Sequence, residues 1–240
     1  MLLKTRGIVL RVQKYSESSL IIKILTEERG VKTYIISGVR KAKAKVGAGI
    51  FQLMNVLDLV VYDKDTKSMQ RIKEVRPHLV YKQIPFDVYK SSVGLFMIEV
   101  IQKTIKEEEI YPELFQYLYK VFSYLDQTDK NPYNLHLHFL LEYSGFLGFS
   151  PGGLATEEQK YFNLEEGSFT YSESMKHSLN EDESKLVSDL MHLSLYEAHT
   201  LQMDKIRRNS LLTNLLQFYK IHVDNFGIIN SHQVLKEVFN

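Results

Sequence analysis

The chain has 240 residues, of which 44% are hydrophobic and 25% charged, so it can bury a core, and no stretch approaches the ~18 consecutive apolar residues of a membrane span. It has no cysteine, which excludes disulfides and thiolate metal sites and fits a reducing compartment. The net charge of +1 conceals a division: residues 1–80 hold 16 Lys+Arg against 7 Asp+Glu (+9), and residues 81–240 hold 14 against 22 (−8), so the two parts are expected to meet different partners or to attract each other.

The first 80 residues read as strands. In MLLKTRGIVLRV, Lys4, Arg6 and Arg11 interrupt the apolar runs, which argues against a signal-peptide core and for a soluble, cytoplasmic protein. Ile8, Leu10 and Val12 alternate with Val9, Arg11 and Gln13, the period that puts successive side chains on opposite faces of a sheet. After the polar group Tyr15-Ser16-Glu17-Ser18-Ser19, the run Leu20-Ile21-Ile22-Lys23-Ile24-Leu25 is apolar and β-branched on both parities, as in a well-covered central strand. Glu27-Glu28-Arg29-Gly30 is a turn, and Val31 to Ser37 alternates again.

Then comes Gly38-Val39-Arg40-Lys41-Ala42-Lys43-Ala44-Lys45-Val46-Gly47-Ala48-Gly49, with four cations and no anion. No acidic residue occurs between Glu28 and Asp58. Such a stretch is either a solvated surface loop or a phosphate-binding segment. Phe51 to Tyr62 reads as one long run, Asp63 to Lys67 as a polar hairpin turn, and Met69 to Val75 as a last strand. Five strands with short turns argue a small barrel, and on periodicity alone an OB-fold and an SH3-like barrel fit almost equally.

Pro77 to Phe86 reads as a linker, after which the period changes to 3.6. Val93, Phe96, Met97, Val100, Ile101 and Ile105 share one helical face. Pro112 opens a second helix with the stripe Leu114, Phe115, Leu118, Val121, Phe122 and Leu125. Asn131-Pro132 starts a third, so apolar all round that it is expected at the centre of its domain. Residues 149–180 form an insert with a hairpin at Tyr161–Tyr171, and Asn180 with Glu183 marks a helix start. Ile206–His222 and Ser231–Phe239 are the last helices.

No catalytic motif survives inspection: GxxxxGK[ST] and GxGxxG are absent, and the GxSxG spelling at Gly148-Phe149-Ser150-Pro151-Gly152 falls in a turn after a helix, without the strand-to-helix context that motif needs. His136 and His138 lie on different faces of a helix, His192 and His199 lack a third ligand, and Glu107-Glu108-Glu109 reads as a solvated helix end, so no metal site is expected. The basic half suits single-stranded nucleic acid, for which binders combine a cationic groove with aromatic platforms. Lys14, Lys32, Arg40, Lys41, Lys43 and Lys45 are the phosphate candidates. Tyr15, Tyr34, Phe51 and Tyr62 are aromatics that either stack on bases or fill the barrel.

The run GIVLRVQKYSESSLIIKILTEERGVKTYIISGVRKAKAK resembles the N-terminal barrel of the bacterial RecO recombination mediator family. EYSGFLGFSP resembles that family's helix end before its insert, and LLTNLLQFYKIHVDNFGIINS its final helix and tail. The resemblance implies an α+β, multidomain protein: a five-stranded OB-fold β-barrel over 1–80, then an all-α domain over 81–240 with a small β-hairpin insert at about 149–180. It further implies a non-enzymatic DNA repair mediator. Such proteins bind single- and double-stranded DNA and anneal complementary strands. With RecR they help load the recombinase RecA onto DNA coated with single-strand binding protein.

The resemblance places DNA contact at Arg40, Lys41, Lys43 and Lys45, with Lys14, Lys32, Tyr15, Tyr34 and Phe51 as further candidates from the residues themselves. It also places the acidic tail of single-strand binding protein on the helical domain, for which Arg207, Arg208 and Lys220 are candidate receivers. Many relatives hold a zinc with four cysteines in the insert. This chain has none, so no cofactor is expected and aromatic packing should hold the hairpin instead. The alternative reading is an OB-fold interaction module that binds an acidic protein. A hydrolase or nuclease is the third and disfavoured reading.

Overall fold

A computed structural model describes residues 1–39, 46–63, 69–107, 109–173 and 176–239. Five strands, β1 (Leu2–Lys14), β2 (Leu20–Thr26), β3 (Gly30–Ile36), β4 (Val56–Tyr62) and β5 (Met69–Pro77), close a barrel in the order β1-β2-β3-β5-β4. All neighbours are antiparallel except β3 and β5, which pair parallel through Thr33↔Met69, Tyr34↔Gln70 and Ile35↔Arg71. This is the Greek-key OB arrangement, not the SH3-like alternative.

Val9, Leu20, Ile22, Ile24, Tyr34, Phe51, Leu57, Leu59, Val61 and Ile72 fill the barrel. β1 pairs with both β2 and β4, and at Gly7 a Cβ would collide with Ile24 and Leu59, so only glycine lets the strand pass. The run from Phe51 to Tyr62 is not one strand. Ala48–Phe51 is a 3-10 turn, Met54 takes a positive φ of 71°, and the Asn55 amide donates to the Ile50 carbonyl at 2.9 Å. These contacts reverse the chain and delay β4 to Val56.

By its contacts the chain forms two compact units, Met1–Asp87 with Ile98–Gln127, and Val88–Met97 with Thr128–Asn240. In the first, helix α2 (Pro112–Gln127) packs with the barrel. Arg6 joins them: its guanidinium makes a bidentate pair with Glu27 at 2.7 and 2.8 Å and lies over the rings of Phe115 and Tyr119. The Arg6 hydrogen bonds hold the Glu27 carboxyl below its usual pKa. The residues read as a linker are pinned. The buried Asp126 carboxylate accepts the backbone N–H groups of Lys82, Gln83 and Ile84 at 2.8–3.0 Å.

The second unit holds α3 (Leu135–Phe146), α4 (Glu181–His192), α5 (Lys205–His222) and α6 (Ser231–Val238). The helix α1 (Val88–Thr104) contributes its first ten residues here and the rest to the first unit. α3 is buried nearly all round, as its composition requires, and the Tyr219 hydroxyl of α5 donates to the Leu140 carbonyl at 2.7 Å. Asn180 caps α4 by accepting from the Glu183 N–H at 2.9 Å.

The insert carries a hairpin of β6 (Tyr161–Asn163) and β7 (Ser168–Thr170). Phe162 packs edge-on against Phe169 and Phe218, so aromatic packing does hold it. A polar hub adds to this. The Asn163 amide donates to the Lys176 carbonyl and the Ser178 hydroxyl, and its carbonyl accepts the N–H groups of Glu165 and Glu166. Among the described residues no helix is long and apolar enough to cross a membrane.

Candidate nucleic-acid interface

Strand register decides which side chains share the outside of the barrel, because paired residues lie on one face. One outward row runs Arg11, Lys23, Thr33, Met69 across β1, β2, β3 and β5. The next runs Gln13, Ile21, Ile35, Arg71, Tyr62 and reaches β4. Arg11, Gln13, Met69, Arg71 and Tyr62 are exposed, and Ile21, Lys23, Thr33 and Ile35 half-buried. These nine positions hold three cations and no carboxylate. Lys23 pairs with Glu107, and a surface pair of this kind is weak.

The turn between β1 and β2 lies beside this face. Tyr15 at its start is 63% exposed, and Lys14 is exposed with it. The Gly38 N–H donates to the Ser18 carbonyl at 2.9 Å, and the hydroxyls of Ser19 and Ser37 meet at 3.2 Å. Lys14 and Tyr15 are thereby brought to the point from which the chain enters its cationic run. Arg40, Lys41, Lys43 and Lys45 themselves lie outside the described residues.

The other sequence candidates are placed differently. Lys32 is half-buried near the far end of β3, opposite Ile24, about 16 Å of strand away from Ser37. Tyr34 and Phe51 are 0% and 2% exposed within the barrel core, so neither ring offers a face to a base. Both pack the barrel instead, and burial pushes the Tyr34 hydroxyl above its usual pKa. Arg11, Arg71 and Met69 were not among the sequence candidates. β1 alternation places Arg11 on the face opposite the core, whereas Arg71 joins the outward row of Gln13, Ile21 and Ile35 only through the parallel β3–β5 pair.

The opposite side of the barrel is mixed in sign. Lys4, Arg6 and Arg76 share a cleft of about 560 Å³ with Glu27, Glu28, Asp58 and Glu74. Arg76 and His78 both bond Asp58 at 2.9 Å. A phosphate backbone meets far less repulsion on the β2–β3–β5 side.

In the helical unit Arg208 is not a surface receiver. It is buried, its guanidinium donates to the Asn134 carbonyl oxygen at 3.1 Å and the Met203 carbonyl at 2.7 Å, and it lies over Tyr133. Arg207 is exposed between Asp182 and Asp204 at 3.7 and 3.8 Å. Lys220 lines a groove of about 330 Å³ with Lys236, His232, Phe226 and Ile228.

Among the described residues no three His, Asp or Glu side chains converge as metal ligands. The ring nitrogens of His138, His192 and His199 meet the carbonyls of Leu193, Ser188 and Tyr196. His136 is sealed against Phe96 and Phe239, and burial, with Arg208 nearby, pushes its pKa down to about 3.

Comparison with known proteins bears on this arrangement. The family model described as "Recombination protein O N terminal" matches residues 1–81, and "Recombination protein O C terminal" matches residues 85–228. The chain is 33% identical to the DNA repair protein RecO of Flavobacterium psychrophilum over 243 residues and 32% identical to that of Bacteroides fragilis over 242. It is 30% identical to that of Phocaeicola vulgatus over 241 residues, and each match covers 100% of both chains.

Proposed function

The chain belongs to the recombination protein O family of DNA repair proteins, and from that premise we propose that it is a non-enzymatic mediator that captures DNA on its barrel. The observation that carries this reading is the two outward rows across β1, β2, β3 and β5, whose nine residues include three cations and no carboxylate, continued by Lys14 and Tyr15 to the entrance of the cationic run. Arg11, Lys23, Arg71 and Lys14, with Arg40, Lys41, Lys43 and Lys45, hold phosphates, and Tyr15 and Tyr62 offer rings to bases.

Single- and double-stranded DNA are both bound, because phosphate contacts position a backbone without reading sequence. Annealing follows because one cationic surface offsets the repulsion between two strands. The protein acts with RecR and favours recombinase loading on DNA coated with single-strand binding protein, working on the nucleoid in the cytoplasm. The acidic tail of that binding protein docks at the Lys220 groove, where Lys236 and His232 add positive or titratable groups beside Phe226 and Ile228. The insert needs no zinc, since Asn163 and Phe162 organise it.

Annealing of complementary oligonucleotides coated with single-strand binding protein tests the reading, and acceleration is the expected result. In titrations with single-stranded DNA, log K should fall against log salt by about 0.7 per neutralised phosphate. Joint replacement of Arg40, Lys41, Lys43 and Lys45 by Ala should flatten that slope by roughly 2 to 3 units. An unchanged slope in the folded variant removes the run from the interface.

A further inference from the structure

A second feature of the barrel unit is not accounted for by the cationic face. A cleft of about 540 Å³ opens where the connection into β4 meets the end of β5. Its wall is apolar, from Ile50, Val75, Pro77, Leu79, Val80 and Pro85, and Gln52, Asn55 and Arg76 supply polar edges. Val80 is 70% exposed, and Phe86, next to Pro85 in the chain, is 87% exposed.

This apolar surface is held rigidly rather than left loose. The N–H groups of His78 and Leu79 both donate to the Val56 carbonyl, and the Tyr81 hydroxyl donates to the Met54 carbonyl at 2.9 Å. Asp126 then fixes residues 82–84 through their backbone. An apolar wall on a fixed backbone that stays open to solvent is a preformed site, and its volume lies in the range of small-ligand pockets.

We propose that this cleft receives an unstacked base of single-stranded DNA, a proposal that rests on the DNA-binding reading above. Charge and chain connectivity choose the occupant. Val46 and Gly47 are part of the wall, and Val46 follows Lys45 directly in the chain. A strand whose phosphates engage the cationic run therefore carries its bases to the mouth of the cleft. Proline and aliphatic faces accept a flat ring, while the Gln52 amide and the guanidinium nitrogens of Arg76 other than the Nε held by Asp58 supply groups for the hydrogen-bonding edge of a base. Extruding one base also breaks the helical stack of the strand, which presents its neighbours for pairing with a complement.

The test compares binding of the full chain to an oligo-dT and to an oligonucleotide of the same length made of abasic residues. The dT strand should bind at least about tenfold tighter, the scale of one stacked base, with Tyr15 and Tyr62 adding to it. Val80→Gln, neutral and at an exposed position, should lower that preference at least about threefold and leave the salt slope unchanged. Photocrosslinking from 5-iodouracil should map to residues 78–86, beyond the end of β5. If Val80→Gln keeps the full preference, or the crosslinks fall only on β1, β2, β3 and β5, the cleft proposal is overturned while DNA binding by the barrel stands. If the variant instead loses binding to RecR and keeps the dT preference, the cleft belongs to a protein partner. If neither strand binds the wild type, the DNA-binding reading falls and the cleft proposal with it.

Discussion

The basic side chains of the two compact units are used in opposite ways. In the barrel unit Arg11 and Arg71 stand on exposed outward positions of paired strands with no carboxylate beside them in the register. In the helical unit Arg208 is buried against Asn134, Met203 and Tyr133, Arg207 lies between two aspartates, and His136 is sealed in an aromatic cluster. A cation available to an external anion and a cation built into the fold look alike in a charge count. Their hydrogen bonds and burial separate them. Arg6 shows that the barrel also contains the second kind, since Glu27, Phe115 and Tyr119 occupy it.

This contrast can be broken or sharpened by experiment. The largest effect is expected for Arg208→Ala, which strands the Asn134 and Met203 oxygens and should cost about 2–4 kcal/mol in urea unfolding with DNA affinity unchanged. If the variant is stable but binds a partner poorly, Arg208 is a surface receiver after all.

Next comes pH. His136 has an ordinary pKa of 6.5 that burial lowers to about 3, so below 6.5 the unfolded chain takes up a proton that the folded chain refuses. Its contribution is complete above pH 6.5 and declines as pH falls toward 3, by about 2 kcal/mol at pH 5. His136→Leu should lack that share of the acid loss when unfolding is followed at both pH values.

A smaller effect, this time on binding alone, is expected for Arg11→Ala with Arg71→Ala. Affinity for single-stranded DNA should fall about tenfold and the salt slope by about 1 to 1.5 units. Stability should stay within about 0.5 kcal/mol, because both side chains are exposed. Loss of stability without loss of binding would place these arginines with the structural ones. The smallest expected effect is none: EDTA should leave the melting temperature unchanged and elemental analysis should find no stoichiometric zinc, since Asn163 ties Lys176, Ser178, Glu165 and Glu166 together.

Much of the architecture was legible in local patterns. The switch from period 2 to period 3.6, Pro112 at a helix start, the Asn180 cap and the all-round burial of α3 all appear where the residues place them. The site was less legible. Aromatic character alone could not say that Tyr34 and Phe51 point inward and Tyr15 outward. Asn163 carries no composition signal, yet it anchors the insert through backbone groups up to 13 residues away. The segment from Pro77 to Phe86 reads as a linker until Asp126, more than 40 residues on, is seen to fix it.

By itself, the amino-acid sequence determined the two-part division of charge, the elements and the family resemblance, because these depend on residue type and short spacing. Which cations meet on one surface was decided by tertiary structure. Closing the barrel sets β3 beside β5 and aligns Arg71 with Ile35, and a one-residue change in that register would turn Arg71 to the inner face. Burial decided the rest. It holds Arg208 and His136 inside the helical unit and leaves Arg11, Tyr15 and Arg71 in reach of a partner.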